Sequence, residues 1–217
     1  MKVVLAILLG ALLLFVTACQ RKDVKWLREG TREGKAGAYD NALHAFEMAI
    51  QENPQSAQAW QGKGYTLELM GKPAEAMAAF DTAIALNAEY PQPWLSKGML
   101  YLKQDRAEDA NMAFTRALQL QPDWDQAHYE RGLALTDLFR YDDAIAEFTQ
   151  AAALSPSLGA IYYGRAKAYL ARSDTARFWS DLKSAVSLDT ATTAKALQDS
   201  TLAAVRQNAQ FERIIRK

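Results

Sequence analysis

Residues 60–88 read WQGKGYTLELMGKPAEAMAAFDTAIALNA, and most of the chain repeats the pattern of this stretch. Its characteristic residues are Trp60, Gly64, Ala76, Phe80 and Ala83. Shifts of 34 residues find the same residue types in the same slots. The copies are Trp26, Gly30, Ala42, Phe46, Ala49 and Pro54; Trp94, Gly98, Ala110, Phe114, Ala117 and Pro122; His128, Gly132, Ala144, Phe148, Ala151 and Pro156; and a degenerate fifth, Tyr162, Ala166, Phe178, Leu182, Ala185 and Thr190. A fixed period of this length indicates a repeat architecture.

The spacing within one repeat predicts two antiparallel helices. Ala76, Phe80 and Ala83 lie four and three residues apart, so they share one helical face. A turn that contains Gly71 separates them from an earlier helix. Small residues allow two helix backbones to approach closely, and large residues fill the remaining space. Because one such pair cannot bury its own apolar face, neighbouring pairs are expected to stack.

The period and the Trp, Gly, Ala, Phe and Pro slots resemble the tetratricopeptide repeat family, and the chain resembles bacterial lipoproteins that contain this repeat. The resemblance implies an all-α fold, a right-handed superhelical solenoid of helix-turn-helix hairpins with a C-terminal capping helix. The five expected repeats are 23–56, 57–90, 91–124, 125–158 and the degenerate 159–190, followed by capping helices in 191–217. Phe178 stands where a small residue is expected, so close packing of the fifth hairpin is left open.

The capping region 191–217 is helical by pattern. One apolar stripe is expected from Ala194, Leu197, Leu202 and Val205, and a second from Phe211, Ile214 and Ile215. The polar side is expected to carry Lys195, Asp199, Arg206 and Arg213. No Gly/Ser-rich linker divides the chain, so the sequence predicts one domain.

Composition narrows the classes of function. The 217 residues have a formal net charge of zero, with 50% hydrophobic and 23% charged residues, which is ordinary for a globular protein. Balanced charge argues against nucleic acid as a partner, because a dedicated binder usually carries an excess of Lys and Arg.

The first residues are typical of a targeting segment. Residues 1–18 are predicted to be a lipoprotein signal peptide, since Lys2 precedes an apolar run that is shorter than the roughly 20 residues of a membrane span. The junction Val16-Thr17-Ala18-Cys19 resembles a bacterial lipobox, which implies lipidation of Cys19 with a diacylglyceryl group and acyl chains such as palmitate. Cys19 is also the single cysteine. An uncleaved anchor and an ordinary signal peptide remain the alternatives.

Residues 19–22 are expected to be the lipidated cysteine and a very short tether. The residue after Cys19 is Gln20 and not the Asp that tends to retain lipoproteins in the inner membrane. By resemblance to lipoprotein sorting signals, this favours the outer membrane, facing the periplasm. Three residues reach only about 10 Å, so the first hairpin is expected beside the bilayer. Arg21, Lys22, Lys25 and Arg28 would meet anionic headgroups there, or they are solvated charges at a helix start.

The sequence offers no catalytic constellation. Of its two histidines, His128 occupies a Trp slot and is expected to pack in the core, and His44 is expected to be half-exposed. There is no H-x-x-x-H or C-x-x-C spacing, and no phosphate loop or dinucleotide fingerprint. We therefore expect no catalytic, cofactor or metal site.

The family resemblance implies that the first helix of each repeat lines a concave groove. The groove slots are the residue after the Trp slot and the residue four further on. The expected partner-binding residues are Leu27, Gln61, Tyr65, Leu95, Met99, Tyr129, Leu133 and Tyr163. These residues suit an apolar protein segment such as an amphipathic helix, and not the carboxylate clamp of chaperone-binding relatives. Alternatively, some of them pack between first helices or against a C-terminal helix folded into the groove.

Together these features predict a non-catalytic, membrane-anchored scaffold. Its expected partners are a protein or peptide in the groove and the membrane through the lipid, with no nucleic acid and no cofactor. It would help to assemble or position a bacterial envelope complex. The alternative is an enzyme accessory, or a lipoprotein that binds a small ligand or peptide in the groove.

Overall fold

The computed structural model describes residues 23–216, and their regular secondary structure is entirely helical. This confirms the predicted all-α class. The predicted signal peptide, Cys19 and the tether lie outside the described residues. The chain divides into two compact units, unit 1 (Met1–Lys97) and unit 2 (Gly98–Lys217), with the boundary inside the fifth helix. Each unit is described by itself.

Unit 1 consists of helix pairs with the predicted alternation of helix and turn. Helix α1 is described over residues 23–35, and the following helices are α2 (Tyr39–Glu52), α3 (Ala57–Leu69), α4 (Pro73–Leu86) and the first part of α5 (Pro91–Leu102). Helix α2 packs on α3, and α3 packs on α4. Ser56 caps α3 by accepting a hydrogen bond from the Ala59 amide (3.3 Å), and Pro73 begins α4, where its missing N–H costs nothing.

The described part of unit 2 contains the end of α5 and eight further helical segments. They are α6 (Ala107–Leu120), α7 (Asp125–Asp137), α8 (Tyr141–Leu154), α9 (Gly159–Ala171), α10 (Thr175–Leu188), α11 (Ala191–Gln198), a 3₁₀ turn (Ser200–Leu202) and α12 (Ala209–Ile215). Consecutive helices from α6 to α10 pack on one another, and α10 also contacts α11 and α12. No described helix, in either unit, has the length and apolar character that a bilayer span requires.

The core of each of the first four hairpins is a phenylalanine ring seated on a glycine of the facing helix. Phe80 is fully buried, and a Cβ atom placed on Gly64 would lie 2.6 Å from its ring. The same relation joins Gly98 to Phe114 at 2.4 Å. Such distances are well inside van der Waals contact, so only glycine fits. The predicted pairing of small and large slots is thus confirmed at the atomic level.

The fifth hairpin packs with a different distribution of volume. Phe178 and Leu182 are both fully buried between α9 and α10, and the Phe178 ring lies 4.6 Å from that of Trp179. Phe178 stands one turn before the usual phenylalanine slot, and Leu182 occupies that slot. The exchange keeps an apolar core in this degenerate repeat.

The turns between paired helices share one backbone conformation. Gly37 and Gly71 adopt positive φ in unit 1. In unit 2 the same turn position holds Asp105, Phe139 and Ser173, with φ of 56°, 59° and 61°. Non-glycine residues adopt this conformation at a cost, so these turns are strained by the packing of the helices they join.

The C-terminal segment departs from the predicted apolar stripe. Leu202 and Phe211 are buried as expected, but Ala194 and Leu197 are exposed. Ala196 is buried in their place. The reason is the break at the 3₁₀ turn, because it changes the helical phase between α11 and the residues that follow.

Candidate functional site

The predicted groove residues of unit 1 differ in accessibility. Tyr65 on α3 is 51% exposed, Gln61 one turn earlier is half-buried, and Leu27 on α1 is also half-buried. Leu95 on α5 is only 6% exposed. The accessible surface at these slots is therefore centred on Tyr65.

Helix α3 shows why Tyr65 points outward. Its neighbours Gly64 and Thr66 are buried, and the Thr66 hydroxyl donates to the Gly62 carbonyl (2.8 Å) inside the helix pair. Leu69, four residues after Tyr65, is 41% exposed. An aromatic and an aliphatic side chain thus stand one turn apart on the outer side of a helix whose other face is packed. This is the arrangement in which a helix surface offers two apolar anchors.

The predicted groove residues of unit 2 lie on α5, α7 and α9. Met99 is half-buried, and its sulfur accepts a weak hydrogen bond from Gln126 Nε2 (3.7 Å). Leu133 is half-buried and Tyr163 is 3% exposed. Helices α7, α9 and α11 enclose a small cavity of about 90 Å³. Its lining includes Tyr129, Leu133, Thr136, Tyr163, Lys167 and Lys195.

Tyr129 has a structural as well as an accessible side. Its ring centroid lies 5.9 Å from that of Phe148, the core phenylalanine of the α7–α8 pair. Burial raises the pKa of its hydroxyl, and the charge of Glu130 acts in the same direction. Part of the Tyr129 ring therefore belongs to the core of the α7–α8 pair.

Tyr163 is covered by the C-terminal segment. Its hydroxyl donates to Asp199 Oδ2 (2.8 Å), and Lys167 Nζ lies 3.1 Å from the same oxygen. Lys195 Nζ lies 5.2 Å from the centre of the Tyr163 ring. The sequence placed Asp199 on the polar side of the capping region, yet its carboxylate is turned to α9. The end of the chain thus occupies the Tyr163 slot.

The electrostatics of this contact follow from its geometry. Burial of Asp199 disfavours the charged carboxylate, but hydrogen bonds from Thr201 and Tyr163 outweigh burial and hold its pKa well below the usual range. For Tyr163, burial comes first and the Asp199 carboxylate adds to it, so the pKa of the phenol is raised. Both shifts favour the observed pairing of a neutral phenol with a charged carboxylate.

His128 is held as a structural residue. Its Nε2 faces the Pro122 carbonyl oxygen (2.9 Å), and its Nδ1 faces Glu147 Oε2 (2.7 Å). Both partners are acceptors, so the charged imidazolium satisfies both contacts. The hydrogen bond with Glu147 is the main cause that raises the pKa of His128, while burial opposes it. Arg131 also pairs with Glu147 (2.8 Å).

Three other residues in the Trp slot make the equivalent hydrogen bond. Trp60 Nε1 donates to the Pro54 carbonyl (3.1 Å) and Trp94 Nε1 to the Ala88 carbonyl (3.2 Å) in unit 1. In unit 2, the Tyr162 hydroxyl donates to the Pro156 carbonyl (3.1 Å). The slot therefore suits a ring that can donate a hydrogen bond to the backbone carbonyl six residues earlier. The repeat pattern indicates the ring at this slot but not its hydrogen-bond donor.

Titratable side chains do not assemble a metal site in the part of the chain that the structure describes. Across residues 23–216, no group of three or more His, Cys, Asp or Glu side chains lies close enough to hold a metal ion. The accessible features of the slots are aromatic, aliphatic and lysine side chains. Such side chains suit the binding of a protein segment.

Comparison with known proteins agrees with this geometry. The structure is similar to crystal structures of MamA (TM-score 0.67, 19% identity, 81% of this chain and 96% of that chain) and of TTC0263, a thermophilic TPR protein of Thermus thermophilus (0.65, 25%, 81% and 98%). It is also similar to YrrB, described as a TPR protein with an unusual peptide-binding site (0.66, 18%, 83% and 97%). The comparison with curated proteins gave no match.

A family model described as the tetratricopeptide repeat matches residues 27–92 and 95–158. The matched residues span the repeats with the full set of Phe and Gly slots. Proteins of this family are generally non-catalytic scaffolds for protein or peptide interaction. Because the matches cover more than half of the 217 residues, the chain belongs to the tetratricopeptide repeat family.

Proposed function

We propose that the protein is a non-catalytic scaffold of the bacterial envelope, anchored to a membrane through lipidated Cys19. In this role it binds an apolar segment of a partner protein at the groove slots of its repeats. Binding assembles or positions an envelope complex on the periplasmic side of the outer membrane.

The observation that carries the proposal is the exposure of Tyr65. Its neighbours Gly64, Thr66 and Leu67 on α3 are buried, so packing of the helix pair does not require an aromatic ring at this slot. Tyr65 and Leu69 remain exposed one turn apart. Tyrosine gives a large contact area with a hydroxyl for orientation, and it is enriched at interface hot spots.

Unit 2 supports the same class of partner with a different surface. Leu133 and part of Tyr129 supply apolar area, and Lys167 and Lys195 line the same cavity. The cavity of about 90 Å³ is smaller than the several hundred Å³ of typical small-molecule sites. We therefore favour a protein segment that lies across the surface over a small ligand that is enclosed.

The proposal of a non-catalytic role rests on the assignment of the titratable groups. His128, Glu147 and Arg131 form one network inside the α7–α8 pair. Tyr163, Lys167 and Asp199 join α9 to the C-terminal segment. The perturbed groups of these two networks have structural partners, so none of them is left poised as a nucleophile or a general base.

The anchor is supported by the sequence. The junction before Cys19 resembles a lipobox, and Gln20 in the next position favours export to the outer membrane. Fractionation and mass spectrometry of the mature N-terminus test this part. A diacylated Cys19 at the N-terminus is expected, and Cys19→Ser should leave the protein unprocessed or mislocalised. Any other mature N-terminus would refute the anchor.

Partner binding is tested separately. The lipidated protein is used to isolate the partner from detergent-solubilised membranes, and the affinity is then measured with purified components. Tyr65→Ala should weaken binding about thirtyfold, which corresponds to about 2 kcal/mol for a hot spot. The melting temperature should change little, because the ring is half exposed.

Met112→Ala is the matched control. Met112 is an equally accessible apolar side chain, but it lies on α6, the second helix of its pair. This variant should bind normally. Equal loss of binding in both variants, or normal binding by Tyr65→Ala, would show that the partner does not use the groove slots.

A further inference from the structure

One flank of α1 is both apolar and basic, and the packing of the helix pair does not account for it. The α1 flank consists of Val24, Lys25, Arg28, Thr31 and Lys35. Val24 is 42% exposed, and the other four residues are exposed as well. Four of these five residues, all but Lys25, line an open depression of about 510 Å³ together with Leu27 and Arg32.

The slot of Arg28 identifies the flank as a surface that interior repeats cover. Gly62 occupies the same slot one repeat later, and a Cβ atom there would lie 2.4 Å from the Phe46 ring of the preceding pair. Gly164 occupies it in unit 2, where the distance to the Phe148 ring would be 2.8 Å. In α1 the slot holds an exposed arginine.

The charges on α1 leave the flank with a net positive character. Asp23 is buried and accepts a hydrogen bond from Asn53 Nδ2 (2.9 Å), whereas Glu29 and Glu33 both pair with Arg32. Within residues 23–216, Lys25, Arg28 and Lys35 have no carboxylate partner. Lys25 instead lies 5.0 Å from the Trp26 ring centre.

The chain outside the described residues points to the partner of this flank. By sequence, Arg21 and Lys22 add two more basic residues just before the described part of α1. Three residues separate the predicted lipid anchor at Cys19 from Asp23, and three residues reach at most about 10 Å. A basic helix flank held so close to an acyl chain faces the headgroup layer, where anionic phospholipids attract Lys and Arg.

We propose that the α1 flank docks on anionic phospholipid headgroups and lays the first helix against the membrane surface. The lysines and arginine contact phosphate groups, while Val24 reaches the apolar boundary below them. This inference rests on the proposed membrane anchor. It adds a second membrane contact, which fixes the orientation of unit 1 relative to the bilayer.

The experiment uses the lipidated protein with a Thr31→Cys substitution, labelled at residue 31 with an environment-sensitive fluorophore. Cys19 is the single native cysteine, and its lipidation leaves position 31 as the reactive thiol. The protein is reconstituted into vesicles of phosphatidylcholine alone or with added phosphatidylglycerol. Quenching by headgroup-labelled lipid should appear only with phosphatidylglycerol and should fall at high salt, which screens the attraction.

Charge removal on the flank supplies the specific test. Arg28→Gln together with Lys35→Gln should shift the docking equilibrium about thirtyfold toward the undocked state, because each basic residue near an anionic surface contributes about fivefold. The control replaces Lys72 and Lys183, two exposed lysines outside α1 that have no carboxylate partner among the described residues. It should quench as the unchanged chain does.

The outcomes separate the docking surface from the anchor. No association with either kind of vesicle would refute the anchor itself. Association without lipid-dependent quenching would overturn the docking surface and leave the anchor intact. Quenching that is equal in both lipids, or a fluorophore response that follows protein concentration instead of lipid, would also overturn it and would indicate apolar insertion or a protein partner.

Discussion

Gly62 offers a sharp test of the packing that defines the repeats. A Cβ atom at this position would lie 2.4 Å from Cε1 of Phe46. The ring cannot move away easily, because a Cβ atom on Gly30 at its other contact would be only 2.9 Å from it. Phe46 is also buried. Gly62→Ala should therefore force the ring and both helices apart.

The size of the effect follows from two opposing terms. Overpacking of this kind costs about 1–3 kcal/mol, and replacing a helical glycine by alanine returns about 1 kcal/mol. Gly34→Ala provides the matched control, because a Cβ atom at Gly34 would make an ordinary contact of 3.8 Å with the Ala42 Cβ atom. This control should gain only the stabilisation from the higher helix propensity of alanine. The free energies of unfolding of the two variants should differ by about 1–3 kcal/mol.

Urea denaturation and amide hydrogen exchange of α2 and α3 measure this difference. Hydrogen exchange is included because repeat arrays do not always unfold as one cooperative unit. Phe46→Leu combined with Gly62→Ala should be less destabilised than the sum of the two single changes, since the smaller side chain relieves the clash. Suppose that Gly62→Ala is as stable as Gly34→Ala, or that the double variant shows no coupling. The Phe46 ring would then not pack directly on Gly62, and the reasoning would be refuted.

Three further changes probe other contacts. Phe139 is 77% exposed at φ 59°, so Phe139→Gly should raise the free energy of unfolding by about 0.5–1 kcal/mol in urea denaturation. Glu147 raises the pKa of His128, so the stabilisation from the charged ring is complete below the ordinary pKa of 6.5 and is lost as the pH rises through the raised value. His128→Gln should make the melting temperature less dependent on pH over that range. An unchanged pH dependence would contradict a charged His128 paired with Glu147. Asp199→Ala should speed amide exchange in α11 and expose Tyr163, whereas unchanged exchange would show that the contact does not hold the segment.

The fold could be predicted because its signal is local and repeated. The spacing of Phe80, Ala76 and Gly64 defines a helix pair without any knowledge of the rest of the chain. The hydrogen bonds of the Trp slot could not be predicted in the same way. The repeat pattern marks Trp60 as a large ring, but it does not show that Trp60 Nε1 donates to the Pro54 carbonyl. This donor explains why His128 and Tyr162 can replace tryptophan, since each presents an N–H or O–H at a similar reach.

The candidate site was harder to predict because accessibility depends on distant segments. Tyr65 is exposed, as its slot suggests. Tyr163 occupies the equivalent type of slot but is covered through Asp199, which lies 36 residues further on. Sequence spacing describes the face of a helix. It does not show which later segment packs against that face. The interruption of the helix after α11 breaks the apolar periodicity, so the pattern gives no signal for the contact of the C-terminal segment with Tyr163.

The slot shared by Arg28 and Gly62 shows how position within the array decides the role of a residue. In the interior, Gly62 and Gly164 leave room for a phenylalanine ring, so their small size is a packing requirement. Glu130 occupies the slot on α7, where burial raises the pKa of its carboxyl and disfavours its charge. Arg28 is exposed and carries no such penalty. A charge that burial disfavours on α7 therefore meets no such penalty on the first helix, which leaves α1 able to carry the basic surface that we propose docks on the membrane.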